Sequence, residues 1–413
     1  MASIARKNLF EDIPRFLVAQ AGIMFAVSLV TIQTGILNGF TRSTGILIDR
    51  SQADIWVASK DMVYLELTSP IPAGNLNQAL KIPGVARAEP LLLGGGIWRN
   101  PEGKLSTTRI FGFDPTGQLF NAFEVTEGSL NALKQPYSIM VDRANLKNLN
   151  IEKVGDTATI GALSIKVVGM TQGTQSIASG NFLFASIENT KAYATGNRTA
   201  NLSCRPEADQ FLCTNVYEQS PASNPATIAP TPLTATDSIS YILVRAKSGQ
   251  DLQALKRQLE ASLPDTRAYT RAEMAQITRS YWLRRTGVGF ILGLGATVGF
   301  IVGVVIVGQI LYSSVSDHLK EFATLKAMGV SDRVLYSIII EQSLWMAVLG
   351  YIPSMAICLG LGAWTFATQG VTILITPLMA TGVLGITIFM CVGAAVFAIQ
   401  KVTHVDPAVV FKS

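Results

Sequence analysis

The side chains able to do chemistry are few in this 413-residue chain, and they are scattered. It has two histidines, His318 and His404, and four cysteines, Cys204, Cys213, Cys358 and Cys391. No H-E-x-x-H pair or Cys/His cluster supplies a zinc-binding set. No G-x-S-x-G marks a nucleophile elbow, and no G-x-x-x-x-G-K-[ST] loop presents backbone amides to a nucleotide phosphate. The expectation is therefore no catalytic, cofactor-binding or metal site, and no enzyme activity of its own. One stretch concentrates charge instead, "DHLKEFATLKAMGVSDRVL" at residues 317–335. Within it Leu319, Phe322, Leu325 and Met328 recur every three residues as an apolar stripe, with Lys320, Glu321 and Lys326 directed elsewhere. Gly329 suits a helix C′ position, and Ser331 suits the N-cap of the next helix. The reading is a short amphipathic helix hinged by "GVS"; the alternative is a solvated connecting loop.

The elements that hold this segment are apolar. Runs at about 16–37, 286–312, 334–365 and 378–400 each reach the roughly 20 residues needed to cross a hydrocarbon core. Charged residues make up 15% of the chain, against roughly 25% in a soluble domain. The expected fold is a membrane protein of four transmembrane helices, with a large α+β extracytoplasmic domain at 38–285 inserted between helices 1 and 2. The remaining pieces are an N-terminal segment (1–15), a connector (313–333), a short outer loop (366–377) and a tail (401–413). The first run exceeds a signal-peptide core, and "TGILNGFTRS" has no A-x-A cleavage site, so it reads as a retained anchor.

Short segments carry the basic residues: Arg6, Lys7 and Arg15, then Lys320, Lys326 and Arg333, then Lys401 and Lys412. The positive-inside rule makes that side cytoplasmic, both termini included. Arg279, Arg284 and Arg285 disagree; beside Tyr281 and Trp282 they read as an interfacial anchor after a long domain, where flanking charge weighs less. The net charge of +5 thus reads as span anchoring, with no nucleic-acid partner.

In the outer domain "DIWVAS", the pair "ARAEPLLLGGGIW" and "LSTTRIFGFD" around "NPEG", "SISYILVRA" and "TRAYT" read as strands. "NLNQALKIPGV" and "GQDLQALKRQLEASLPD" read as helices. Residues 193–237 are rich in Asn, Thr, Ala, Ser and Pro and read as a flexible loop. Cys204 and Cys213 lie there, where an oxidising exterior allows a disulfide, against two free thiols. Cys358 and Cys391 read as small packing residues. Gly295, Gly299 and Gly303 lie on one helix face and permit close packing, either as a homodimer seam or within the chain. Glu341 and Gln342 would face a partner helix or pair with Lys326 or Arg333, unless Glu341 sits at headgroup level. Pro353 should kink its span.

The stretch "QILYSSVSDHLKEFATLKAMGVSDRVL" resembles the connector between the second and third spans of the FtsX/MacB superfamily of ABC-transporter permeases, and is most similar to the DevC-type permeases of cyanobacterial glycolipid exporters. "ARKNLFEDIPRFLVAQAGIMFAVSLV", "ADIWVAS", "IPGVARAEPLL", "IMVDRANLKNLNIEKVGDTATIG" and "KVTHVDPAVVFK" extend the resemblance over nearly the whole chain. The 193–237 stretch does not match. The resemblance implies that the connector is a coupling helix docking on an ABC ATPase subunit, through Leu319, Lys320, Glu321, Phe322, Leu325, Lys326, Met328 and Gly329. It further implies an inner-membrane homodimer in contact with lipid, a periplasmic membrane-fusion adaptor, an outer-membrane channel, and glycolipid or other lipophilic export. The competing implications within the superfamily are mechanotransmission to cell-wall hydrolases and lipoprotein release.

Overall fold

Helix α1, Ile13–Arg50, runs well past the apolar segment expected at 16–37. Ile46, Leu47 and Ile48 near its end are buried in a hydrophobic core with Trp56, Phe111 and Phe184. Burial there keeps the helix going after its membrane-like composition stops. The computed structural model describes residues 13–175, 177–195, 199–207, 210–218, 229–369 and 373–403. The chain divides into two compact units, Met1–Phe40 with Thr286–Ser413, and Thr41–Arg285.

The Thr41–Arg285 unit is α+β. Its first elements are β1 (Ile55–Ser59), β2 (Ile71–Pro72), α2 (Gly74–Leu80), β3 (Val85–Arg99) and β4 (Leu105–Phe113). Next come β5 (Glu124–Gly128), β6 (Ser138–Asp142), α3 (Leu146–Leu149), β7 (Thr157–Ile160), β8 (Leu163–Gln172) and β9 (Asn181–Ser186). Helix α4 (Ile187–Thr195) leads to β10 (Thr199–Glu207) and β11 (Gln210–Glu218), then β12 (Ser238–Ile239) and β13 (Tyr241–Ala246). The unit closes with α5 (Leu252–Ser262), β14 (Thr266–Thr270) and α6 (Arg271–Thr286).

The main sheet runs β14-β1-β13-β3-β4-β9-β6-β8-β5. Its first four strands with α2 and α5 form a β-α-β-β-α-β unit of ferredoxin type, and everything from β4 to β12 is inserted between β3 and β13. The long β3 joins the halves: residues 85–91 pair with β13 and residues 92–99 with β4. Every residue of β1 is buried, because alternate side chains enter different cores. Ile55 and Val57 pack with Leu255 and Leu259 of α5, while Trp56 and Ala58 pack with the phenylalanine cluster.

Two expectations need correction here. The 193–237 stretch is not all loop: α4 extends to Thr195, and β10 and β11 pair as an antiparallel hairpin. Its polar composition hid short alternating strands, and the register sets Cys204 opposite Cys213. Residues 196–198, 208–209 and 219–228 of that stretch lie outside the described residues. Second, Arg279, Tyr281 and Trp282 are engaged within the domain. Arg279 pairs with Asp49 and donates to Thr41 O at 3.3 Å. Tyr281 stacks on Tyr64 with ring centroids 4.0 Å apart, and Trp282 meets the same ring edge-on.

The other unit holds the membrane helices: the first part of α1, then α7 (Val288–Asp317), α9 (Asp332–Gln369) and α10 (Pro377–Thr403), with the short α8 (Leu319–Ala327) between α7 and α9. Four of these are long and apolar enough to cross a membrane. Each continues past the C-terminal end of its apolar run, by thirteen residues in α1 and by three to five in the others, since hydropathy marks the lipid-contacting length and the backbone pattern continues beyond it.

The glycine ladder of α7 is filled from within the chain. A Cβ at Gly295 would meet the Gln33 side chain at 2.6 Å, and one at Gly299 would meet Leu29 Cδ2 at 2.9 Å. At Gly303 it would lie 2.2 Å from Met390 Sδ and 2.8 Å from Ala26 Cβ. Gly22 of α1 returns the favour one turn on, against Ile306. As α7 numbers rise, α1 numbers fall, so the two helices pack antiparallel with small residues along the contact. The three glycines are thus taken up by packing within the chain.

Candidate functional site

Only His318 separates α7 from α8. Because α7 continues to Asp317, the first residues of the expected connector belong to the membrane helix. His318 N–H donates to Ser314 O at 3.2 Å, ending α7, and His318 O accepts from Glu321 N–H at 3.0 Å, starting α8. The His318 Nδ1 lies 3.3 Å from Glu321 Oε1. Glu321 thus sits in the first turn of α8, where a carboxylate meets the positive end of the helix dipole.

The far end of α8 is closed rather than loose. Gly329 has φ +88°, and its N–H donates to Lys326 O at 3.0 Å, while Val330 N–H donates to Leu325 O at 3.1 Å. That pair of bonds is a Schellman motif. Leu325 and Val330 both pack on the transmembrane core, supplying the apolar contact the motif usually carries. Ser331 O then accepts from Leu335 N–H, opening α9, and Lys326 Nζ lies 3.2 Å from Asp332 Oδ1 in its first turn. So "GVS" is a fixed corner, not a free hinge. Gly329→Ala is expected to cost roughly 1 kcal/mol through the left-handed backbone alone, since nothing stands within 4 Å of the added Cβ. A thermal melt shifted by a few degrees with unchanged expression would show this; an unshifted melt would argue against the motif.

The stripe expected at Leu319, Phe322, Leu325 and Met328 is not one face. A helix turns every 3.6 residues, so a step of three drifts by about 60° and the four positions cover half the circumference. Ala323, one turn from Leu319, is buried. Leu325 is half-buried against the core, while Met328 is 68% exposed. Glu321, with its side chain 61% exposed, shares the outward side with Met328. Leu319, Lys320 and Phe322 lie on the helix backbone, but their side chains fall outside the described residues.

Lys326 serves Asp332 rather than Glu341. Gln342 is buried, and its Nε2 donates to Ser314 Oγ at 3.3 Å, tying α9 to α7 just above the connector. Sequence reading missed both links. A Lys six residues before an Asp across a Gly corner is a usable signal for the first. The second crosses two helices and has no local signature.

The comparisons with known proteins divide the chain between residues 262 and 271. A family model described as MacB-like periplasmic core domain matches residues 16–262, more than half of the chain. A second, FtsX-like permease C-terminal, matches residues 271–407, which includes α8. An ABC transporter permease of Mycobacterium bovis is 23% identical over 397 residues, covering 95% of this chain and 94% of that one. One from Mycobacterium tuberculosis is 23% identical over 396 residues with the same coverage. Among solved structures, the periplasmic region of MacB from Actinobacillus actinomycetemcomitans aligns at 10% identity and TM-score 0.35, over 55% of this chain and 94% of that one. The extracellular domain of the noncanonic ABC-type transporter YknZ from Gram-positive bacteria aligns at 9% identity and TM-score 0.33, over 53% and 99%. With both family models matched along one chain that carries four membrane-crossing helices, the protein belongs to the MacB/FtsX-type ABC transporter permeases and is a multi-pass membrane subunit.

Proposed function

We propose that α8 is the docking element for the ATPase subunit that an ABC permease works with, and that ATP-driven movement of this element is passed through α7 and α9. The observation that carries the reading is the closure of α8 at both ends, by His318–Glu321 on one side and the Gly329 corner on the other. A helix so held moves with α7 and α9 as a unit, which a solvated loop would not do. The residues assigned to docking remain Leu319, Lys320, Glu321, Phe322, Leu325, Lys326, Met328 and Gly329. Leu325, Lys326 and Gly329 set the shape of the element, and Glu321 and Met328 lie on its outward side.

The wider reading follows the resemblance to DevC-type permeases. The chain works as a homodimer in the inner membrane, with both termini and α8 cytoplasmic and the α+β domain outside, below a periplasmic adaptor and an outer-membrane channel. The cargo is lipophilic, of glycolipid type. Orientation is checked by an impermeant thiol reagent on intact cells, using Lys104→Cys or Glu321→Cys after the native outer cysteines are replaced by Ser. Labelling at 104 and none at 321 is expected; the reverse pattern would invert the topology.

Cys204 and Cys213 are proposed to form a disulfide, supported by their opposed register in the hairpin. A bridge across so short a loop stabilises by roughly 2–3 kcal/mol at most. Its loss should loosen the hairpin and leave the domain folded. Mass spectrometry of non-reduced peptides should find the linked pair, and two alkylatable thiols would rule it out.

A further inference from the structure

The Thr41–Arg285 unit contains a cleft that ATPase coupling does not use. β14 is the edge strand of the main sheet, and α5, β14 and α6 line an open cleft of about 860 Å³. The cleft is much larger than a single phosphate group, so a bare phosphate would leave most of it to solvent. Val63, Tyr269 and Ile277 give the cleft apolar wall, and Arg267, Arg284 and Arg285 line it with charge.

The charge is not balanced within the cleft. Its two carboxylates, Glu273 and Glu260, are both committed. Glu273 Oε2 accepts from Lys256 Nζ at 2.5 Å and from Thr270 N–H at 2.8 Å. Burial pushes the Glu273 carboxyl up, but Lys256 and the Thr270 N–H outweigh it and hold the group below its usual range. Glu260 Oε1 accepts from Ala268 N–H at 2.9 Å. The three guanidinium groups, by contrast, make no hydrogen bond or ion pair with another described residue. Guanidinium groups are suited to phosphate through paired N–H donors.

Position along the chain adds the second half of the argument. Arg284 and Arg285 lie in the last turn of α6, and the membrane-crossing α7 begins at Val288. Along the chain only Thr286 and Gly287 lie between Arg285 and α7, a helix long and apolar enough to enter a bilayer whose surface carries phosphate headgroups. We infer that this cleft binds the phosphate head and the first acyl segment of an anionic membrane lipid. The arginines hold the phosphate, and Val63, Tyr269 and Ile277 cover the adjoining apolar segment. The site is independent of ATPase docking, since a chain can keep either property without the other.

The test uses the full-length chain in a neutral detergent, with bound lipid counted by native mass spectrometry. Phosphatidylglycerol, phosphatidylcholine and inorganic phosphate are the three probes. Phosphatidylglycerol should be retained at least several-fold more tightly than phosphatidylcholine. The triple variant R267Q/R284Q/R285Q should weaken phosphatidylglycerol by about ten-fold, the scale of three partly screened charge contacts. It should leave phosphatidylcholine unchanged. Because all three arginines are exposed, an unaltered melting curve for that variant excludes misfolding as the cause. Val63→Asn should lower lipid retention without changing phosphate binding. Equal retention of the two lipids, or full retention by the triple variant, overturns the inference. Inorganic phosphate binding as tightly as the lipid would make this a plain anion site and overturn it as well.

Discussion

Gly303→Leu is expected to leave the membrane helices unable to close. The added Cβ alone would stand 2.8 Å from Ala26 Cβ and 2.2 Å from Met390 Sδ. Met390 can rotate away, but Ala26 Cβ is fixed to the α1 backbone, so α1 and α7 must separate. Overpacking of this kind costs typically about 1–3 kcal/mol and sometimes more; with backbone displaced on one side, about 3 kcal/mol or more is the expected scale. Separation would also open the contacts at Gly299 and Gly295, because they lie on the same seam. Purified chain should melt far below wild type, or fail to accumulate. Gly293→Leu is the control, since nothing stands within 4 Å of its Cβ, and it should melt as wild type does. Equal melting of the two variants would mean the seam is not where the helices are held.

That seam was only half legible in the sequence. Glycines four residues apart announce a close approach, because period and side-chain size are both local properties. What approaches them is not local: Leu29 and Ala26 are hundreds of residues away, and no spacing rule distinguishes them from a second copy of α7. The same division holds in the domain. β1, β13 and β14 were readable from their apolar alternation, and α5 from its periodicity, but the order β14-β1-β13-β3 is a tertiary result. Hydropathy found the four membrane runs and missed that α1 continues to Arg50, where burial of Ile46, Leu47 and Ile48 takes over from lipid.

In the connector the turn chemistry was the reliable part. Gly329 was placed at a helix end by type, and it has the left-handed backbone that position needs. The apolar stripe was misjudged because a three-residue repeat on a 3.6-residue helix is a drifting line. Ala323, the residue buried there, is too small to attract notice. Two of the cleft arginines were missed for a related reason: beside aromatic residues and a span Arg284 and Arg285 read as anchors, and only packing shows that Arg279 pairs with Asp49 while their guanidiniums pair with no described residue.

The second large effect is expected at α8 itself. Phe322 is the largest apolar residue of the helix, and a buried aromatic is a frequent interface anchor. Phe322→Asp combined with Met328→Asp should place unpaired charge in the ATPase contact, at a cost of several kcal/mol before relaxation. Met328 is exposed and outside the core, so its single change should not affect folding. The double variant should insert in the membrane normally and lose its ATPase on purification, with transport lost alongside. Lys320→Ala removes one charge and places none in the contact, so it should be mild by comparison. Retention of the ATPase by the double variant, together with its loss in Lys320→Ala, would shift the contact away from the apolar positions.

The most direct measurement is site-specific photocrosslinking in native membranes, with a photoreactive amino acid at Met328, at Glu321 or at Lys104. Met328 and Glu321 lie on the outward side of α8, whereas Lys104 is exposed at the β3–β4 turn of the α+β domain. The expected result is an adduct with an ABC ATPase subunit from positions 328 and 321 and none from 104. An ATPase adduct from 104 alone, or no ATPase adduct from either α8 position in membranes that contain the subunit, would contradict docking at this helix.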